Sequence, residues 1–158
     1  MGKQTTCCFT GHRTVDKYFN PELIERLAKK LILEKGVDTF IAGGALGFDT
    51  LCEKAILKLK KEFPHIQLHI YAPCNNQTAK WRARDIEIYN DILELADYVD
   101  MPYVSYFNGC MKIRNYKMVD NSAFCICYLN QPGSGTGQTV AYAQRCGLEL
   151  YNLADSDE

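Results

Sequence analysis

Residues 123–143 read AFCICYLNQPGSGTGQTVAYA. The first seven, Ala123 to Leu129, form the most hydrophobic run in the chain. It is too short for a core helix and is bounded by turn residues, so it predicts an interior strand buried on both faces. A two-residue period sets Cys125 and Cys127 on one face and Phe124 and Ile126 on the other. Gln131 to Thr139 follows as a glycine-rich turn. A helix over Thr139–Cys146, closed by Gly147, comes next.

The same strand–turn–helix grammar repeats outward from this stretch. Thr5 to Thr10 (TTCCFT) predicts a first strand. Asn20 caps and Pro21 opens a helix whose apolar residues are Leu23, Ile24, Leu27, Ala28 and Leu31, and Gly36 closes it. Asp38–Ala42 is a second strand. Leu51, Ala55, Leu59 and Phe63 mark a second helix ended by Pro64. Gln67–Ala72 is a third strand, Trp81–Ala96 a third helix, and Tyr98–Met101 a short fourth strand. Met111–Asn121 is helical and Leu148–Leu153 is a last strand. Alternation of this kind predicts one α/β domain over 1–158, an open, mainly parallel sheet with helices on both faces. Ligands of such sheets lie at the carboxyl ends of the strands, where the strand order reverses.

Composition narrows the function classes. Eighteen basic residues against nineteen acidic ones leave a net charge of −1. The balance holds along the chain: seven and six in residues 1–50, seven and eight in 51–100, four and five in 101–158. That excludes a basic arm or an acidic tail and counts against nucleic acid as the main partner. No run of about 18 apolar residues is present, so no transmembrane helix is expected. No leader or lipidation signal is seen, and the expectation is a cytoplasmic protein without a membrane partner. The eight cysteines form no C-x-x-C pair, so they read as reduced small hydrophobes, with no metal site.

The residues that follow each strand carry the chemistry. Gly11-His12-Arg13 follows the first, Gly43-Gly44-Ala45-Leu46-Gly47-Phe48-Asp49 the second, and Pro73, Gln77 and Trp81 the third. Gly133-Ser134-Gly135-Thr136 and Thr139 follow AFCICYL. Glycines let backbone N–H groups approach a ligand, and a helix start adds free donors and a positive dipole end, which suits phosphate. A lone glycine turn is more often a tight connection, but two at strand ends, with Arg13 and Arg114 nearby, favour a ligand. Gln138 stands where a P-loop has lysine, and no GxGxxG follows the first strand. Asp49 reads as a helix cap or a ribose ligand, His12 as a turn residue or a ligand contact. Trp81 reads as core or as a base-stacking ring, on one helix face with Gln77 if that helix starts early. Arg13, Arg114 and the 133–136 turn are expected to converge on one pocket. Arg114 is expected at its mouth, contacting phosphate and dispensable for folding.

In order and spacing, FTGHR (9–13), GGALGFD (43–49), Pro73–Gln77–Trp81, RNYKMVD (114–120) and QPGSGTGQTVAYA (131–143) resemble the YpsA-like branch of the SLOG superfamily. The resemblance implies a Rossmann-like fold that binds a nucleotide or an ADP-ribose-type ligand, as a sensor or binding protein. It adds Asn115 and Asp120 to the candidate site and implies a homodimer. The superfamily includes the LOG phosphoribohydrolases and the DNA-processing protein DprA. The LOG MHxRK helix is similar to Met111–Asn115, with Arg114 in the arginine position and Lys112 and Asn115 in the histidine and lysine positions. The LOG PGGxGTxxE turn, aligned on Gly135-Thr136, sets Thr139 where the catalytic glutamate belongs. Threonine cannot supply the carboxylate that stabilises a developing ribosyl cation. The resemblance therefore favours nucleotide binding, with N-glycosidic hydrolysis as the alternative and single-stranded nucleic-acid handling a third reading.

Overall fold

The computed structural model describes residues 2–155; residues 1 and 156–158 of the predicted domain lie outside the described residues. β1 (Thr6–Gly11) is followed by α1 (Glu22–Lys35), β2 (Thr39–Ala42), α2 (Phe48–Leu59), β3 (Gln67–Tyr71) and α3 (Ala83–Leu95). β4 (Tyr98–Asp100), α4 (Cys110–Asp120), β5 (Phe124–Tyr128), α5 (Gly135–Arg145) and β6 (Glu149–Asn152) complete the order. The six strands form one open sheet in the order β4-β3-β2-β1-β5-β6. Every neighbouring pair is parallel. This is the α/β architecture expected from the alternation of strand and helix signals.

The pleat explains the two cores. Cys7 and Phe9 of β1 face the same side as Phe124 and Ile126 of β5, where α1 and α2 cover them with Ile24, Ala28, Cys52 and Ile56. Cys8, Cys125 and Cys127 face the other side, under Met118 and Val119 of α4 and Val140 and Ala143 of α5. The predicted faces of AFCICYL hold. The strand is interior, paired through Cys7↔Phe124 to β1 and through Phe124↔Glu149 to β6. A fully buried Ile126 at this centre contributes about 1.5–3 kcal/mol relative to an exposed one. Seven of the cysteines are buried as small core hydrophobes, outside any disulfide, and Cys146 is exposed.

Local signals set most helix ends. The Asn20 side chain accepts from the Glu22 amide at 3.1 Å, and Gly36 takes a left-handed φ of 69° after α1. Gly147 does the same after α5, at φ 79°. Most strand bounds and those of α4 shift by one residue, and three helix boundaries differ further from expectation. α2 ends at Leu59, and a tighter turn carries the chain on to Phe63 before Pro64. α3 starts at Ala83, so Trp81 and Gln77 lie in the turns before it and not on a helix face. α5 starts at Gly135, so only 131–134 is turn, and Thr139 lies one turn inside the helix. Ser134 decides this: its Oγ accepts from the Gly137 amide at 3.1 Å, as an N-cap does. No helix among the described residues is long and apolar enough to cross a membrane.

Candidate functional site

The sheet grows from β1 to β4 in one direction, and β5 and β6 then join the other side of β1. The chain leaves β1 towards the α1/α2 layer and leaves β5 towards the α4/α5 layer. The two connections diverge, and a crevice opens between them at the carboxyl ends. A cavity of about 460 Å³ lies there. Gly11, His12, Arg13, Asp49, Gln77, Trp81, Arg114, Asn115, Ser134, Gly135 and Thr136 all line it. Arg13 and Arg114 are thus brought together with residues 134–136 of the predicted 133–136 turn, Gly133 excepted. Seven other candidates lie off its wall: Gly43, Gly44, Gly47, Pro73, Asp120, Gly133 and Thr139.

Several of these have internal tasks. The Thr139 hydroxyl donates to the Gly135 carbonyl within α5. Asp120 accepts from the Tyr142 hydroxyl at 2.6 Å on the exposed α4/α5 surface. A Cβ on Gly43 would overlap the Arg114 guanidinium, and one on Gly11 would overlap the Phe48 ring. At both positions glycine makes room for a neighbouring side chain of the protein itself, a requirement that sequence reading attributes to a ligand.

Arg114 departs furthest from expectation. It is only 8% exposed. Its Nη1 donates to the carbonyls of Gly43 and Tyr71, and its Nε donates to Asn115 Oδ1 at 2.7 Å. It ties α4 to the ends of β2 and β3 at the cavity floor. An arginine so placed belongs to the fold as much as to the pocket, which corrects the view of it as a dispensable residue at the mouth.

Arg114 also offsets two buried acids. Asp49 and Glu53 lie one turn apart on α2 and are 6% and 1% exposed. Asp49 Oδ2 accepts from the Ala45 amide at 3.2 Å, and Glu53 Oε2 accepts from the Gly44 amide at 3.0 Å. The carboxylates thus hold the 43–45 turn from inside. Glu53 was not among the candidates; the available signal was two acids inside the apolar stripe Phe48, Cys52, Ala55, Ile56 and Leu59. Burial pushes the Asp49 carboxyl up to about 6, against the pull of Arg114. Burial and then Asp49 raise Glu53 well above the ordinary range. Asp49 Oδ1 is buried with no hydrogen-bond partner.

The remaining wall is stapled across the crevice. His12 Nε2 accepts from the Asn130 amide at 3.1 Å, joining the loop after β1 to the loop after β5. Burial lowers its pKa, which keeps Nε2 free to accept that bond. Trp81 stands edge-on to Tyr89, ring centroids 5.4 Å apart. Arg13 is exposed and makes no ion pair with another described residue. Among the described residues no group of three or more His, Cys, Asp or Glu is placed to hold a metal.

A pH dependence follows from Asp49. Its carboxyl rises from an ordinary 3.8 to about 6 on folding. The raised value favours the folded state fully below pH 3.8, and that stability is lost as pH rises through about 6. The shift corresponds to roughly 3 kcal/mol. Asp49→Asn removes this titration together with the part of the Glu53 shift that the Asp49 charge causes. Urea unfolding at pH 4, 5 and 7.5 should show wild type losing stability relative to Asp49→Asn as pH increases. A stability difference constant over that range would refute the buried-acid assignment.

An open parallel α/β sheet with a crevice at its strand-order reversal defines the Rossmann-like class. Within it, the chain belongs to the YpsA family: the family model, described as the YspA SLOG family, matches residues 7–146. A UPF0398 protein of Halalkalibacterium halodurans is 32% identical over 126 residues, covering 77% of this chain and 67% of that protein. The uncharacterized SPbeta prophage-derived protein YoqJ of Bacillus subtilis is 30% identical over 139 residues, covering 79% and 81%. Against a UPF0398 protein of Brevibacillus brevis the match spans 43% of that protein's length. The fold is shared with DNA processing protein A of Helicobacter pylori, studied for its single-stranded DNA binding mode, at TM-score 0.67 and 18% identity. The match covers 94% of this chain and 64% of that one. DprA of Streptococcus pneumoniae gives TM-score 0.68 at 16% identity, covering 93% and 49%.

Proposed function

We propose that this chain binds a nucleotide or nucleotide-derived ligand, of the ADP-ribose type, in the crevice between β1 and β5, as a cytoplasmic sensor or binding protein that works as a homodimer. The observation that carries the reading is Asp49, which lines the cavity and whose buried Oδ1 has no hydrogen-bond partner. Such an atom is costly unless a donor reaches it, and a ribose hydroxyl is a donor of the right size. Phosphate then meets exposed Arg13, Arg114 and the free amides at the start of α5, beside Ser134, Gly135 and Thr136. The base lies against Trp81 and Gln77.

The same carboxyl supports a second reading, hydrolysis of the ligand's N-glycosidic bond. A carboxyl near 6 facing the ribose can stabilise positive charge there or take a proton from water, the task that Thr139 cannot perform. DprA-like strand binding has the shared fold behind it, while the chain's net charge of −1 counts against it.

The test is a thermal-shift screen of nucleoside mono- and diphosphates and ADP-ribose. A ligand at 100 times its Kd adds about 2.7 kcal/mol of stability. Arg13→Ala, at an exposed position, should keep the wild-type melting temperature and lose about ten- to a hundredfold in affinity for the ligand that the screen identifies. Chromatography of the same mixtures separates the two readings, since free base appears only if the bond is cleaved. No stabilisation by any nucleotide would sink both.

A further inference from the structure

A second cavity, of about 560 Å³, adjoins the first. The two share Arg13, Gln77, Trp81 and Met111 as a common wall. Each falls within the roughly 300–1,000 Å³ of small-molecule sites. Lys80, Arg82 and Tyr106 line the second one, with Asp85 as its one acid. Lys80 and Arg82 are exposed and form no ion pair with another described residue, whereas Arg84, two positions on, is paired with Glu87 at 3.0 Å. The two sides of this lobe are joined beforehand: the Tyr106 amide donates to Asn76 Oδ1 at 3.0 Å, and the Asn75 amide to the Tyr103 carbonyl at 2.8 Å. Tyr106 is nevertheless 59% exposed, held at the lobe with its backbone pinned.

We propose that the two cavities form one two-lobed site, and that its ligand carries two nucleoside units bridged by a diphosphate. This rests on the nucleotide reading of the first cavity and extends it. Arg13 lines both lobes, so the shared cation lies where the bridge must pass. Lys80 and Arg82 add positive charge on the far side, and Tyr106 offers the second base a stacking face. Trp81, braced by Tyr89, divides the two bases. The exposed cations that line the two cavities, Arg13, Lys80 and Arg82, lie at the junction and in the second lobe of a chain with net charge −1, the pattern for a bridged ligand of fixed length rather than for a continuous strand.

Calorimetric titration compares each nucleoside 5′-monophosphate with the matching symmetrical dinucleoside diphosphate and with a single-stranded 12-mer of the same base. The bridged compound should bind at least tenfold tighter than its monophosphate. Tyr106→Ala and the double variant Lys80→Ala/Arg82→Ala should abolish that gain while monophosphate affinity stays within twofold. Monophosphate binding with no gain from the second nucleoside overturns this inference and leaves the first cavity's reading in place. Variants that weaken both compounds equally also overturn it. Tightest binding by the 12-mer, falling steeply with salt, replaces the bridged ligand with a strand. Binding of none of the probes overturns both readings.

Discussion

Arg114→Ala should be the most damaging substitution at this site, lowering stability by about 3–5 kcal/mol at pH 7.5. The side chain donates to two carbonyls, those of Gly43 and Tyr71, which lose that donor once it is gone. Its charge is also what offsets Asp49 and Glu53, both buried. Removing the guanidinium leaves either uncompensated carboxylate in a low-dielectric interior or protons bound at neutral pH, and each is costly. This makes a second, sharper expectation. At pH 5 both acids take up protons more readily, so the deficit should shrink there. Arg114→Lys should restore only part of the loss, because an ammonium cannot reproduce the planar fork that meets two carbonyls and Asn115 at once. Urea unfolding at pH 7.5 and pH 5 decides the matter. An Arg114→Ala protein as stable as wild type at pH 7.5 would remove the arginine from the fold and return it to the mouth of the pocket.

Gly47→Ala should cost about 3 kcal/mol or more, through the backbone alone. Gly47 has φ 84° and ψ −122°, a region that side-chain-bearing residues almost never enter. A Cβ there would also lie closer than 3.0 Å to the carbonyl oxygens of His12 and Arg13. Those carbonyls cannot withdraw freely, because the His12 oxygen accepts from the Phe48 amide at 3.1 Å. The residue therefore lets the loop after β1 pack onto the start of α2, and its substitution should displace Arg13 together with Asp49. Gly133→Ala is the matched control. A Cβ at Gly133 meets nothing within 4 Å, and its φ lies outside the positive region. That variant should stay within about 0.5 kcal/mol of wild type. Equal effects at the two glycines in denaturant unfolding would contradict this distinction.

The contrast between these glycines shows how far the sequence alone reaches. The fold was legible because each element carries its own local signature. AFCICYL is too apolar and too short to be anything but an interior strand, and Gly36 and Gly147 stand where helices must stop. Strand–helix alternation makes the sheet parallel, and parallel connections bring all carboxyl ends to one edge. Hence Arg13, Arg114 and the 133–136 turn could be assigned to one crevice although the chain separates them widely, and of these Gly133 lies off its wall. A local pattern does not say what a given glycine or charge touches. GGALGFD reads as a ligand cradle, yet Gly43 leaves space for Arg114 and Gly47 for the carbonyls of His12 and Arg13, contacts made across 71 and about 35 residues. Arg114 reads as a phosphate ligand, and only packing shows it buried against two carbonyls and two acids. Glu53 escaped notice because an acid on an amphipathic helix reads as solvated, and its place with Asp49 inside the apolar stripe gains meaning only once the facing layer is placed. Periodicity and turn chemistry are properties of neighbours in sequence, so the sequence by itself determined the strands, helices and common edge. Burial and charge compensation depend on residues brought together from distant segments, and the tertiary structure alone decided which of the aligned side chains face the cavity and which hold it open.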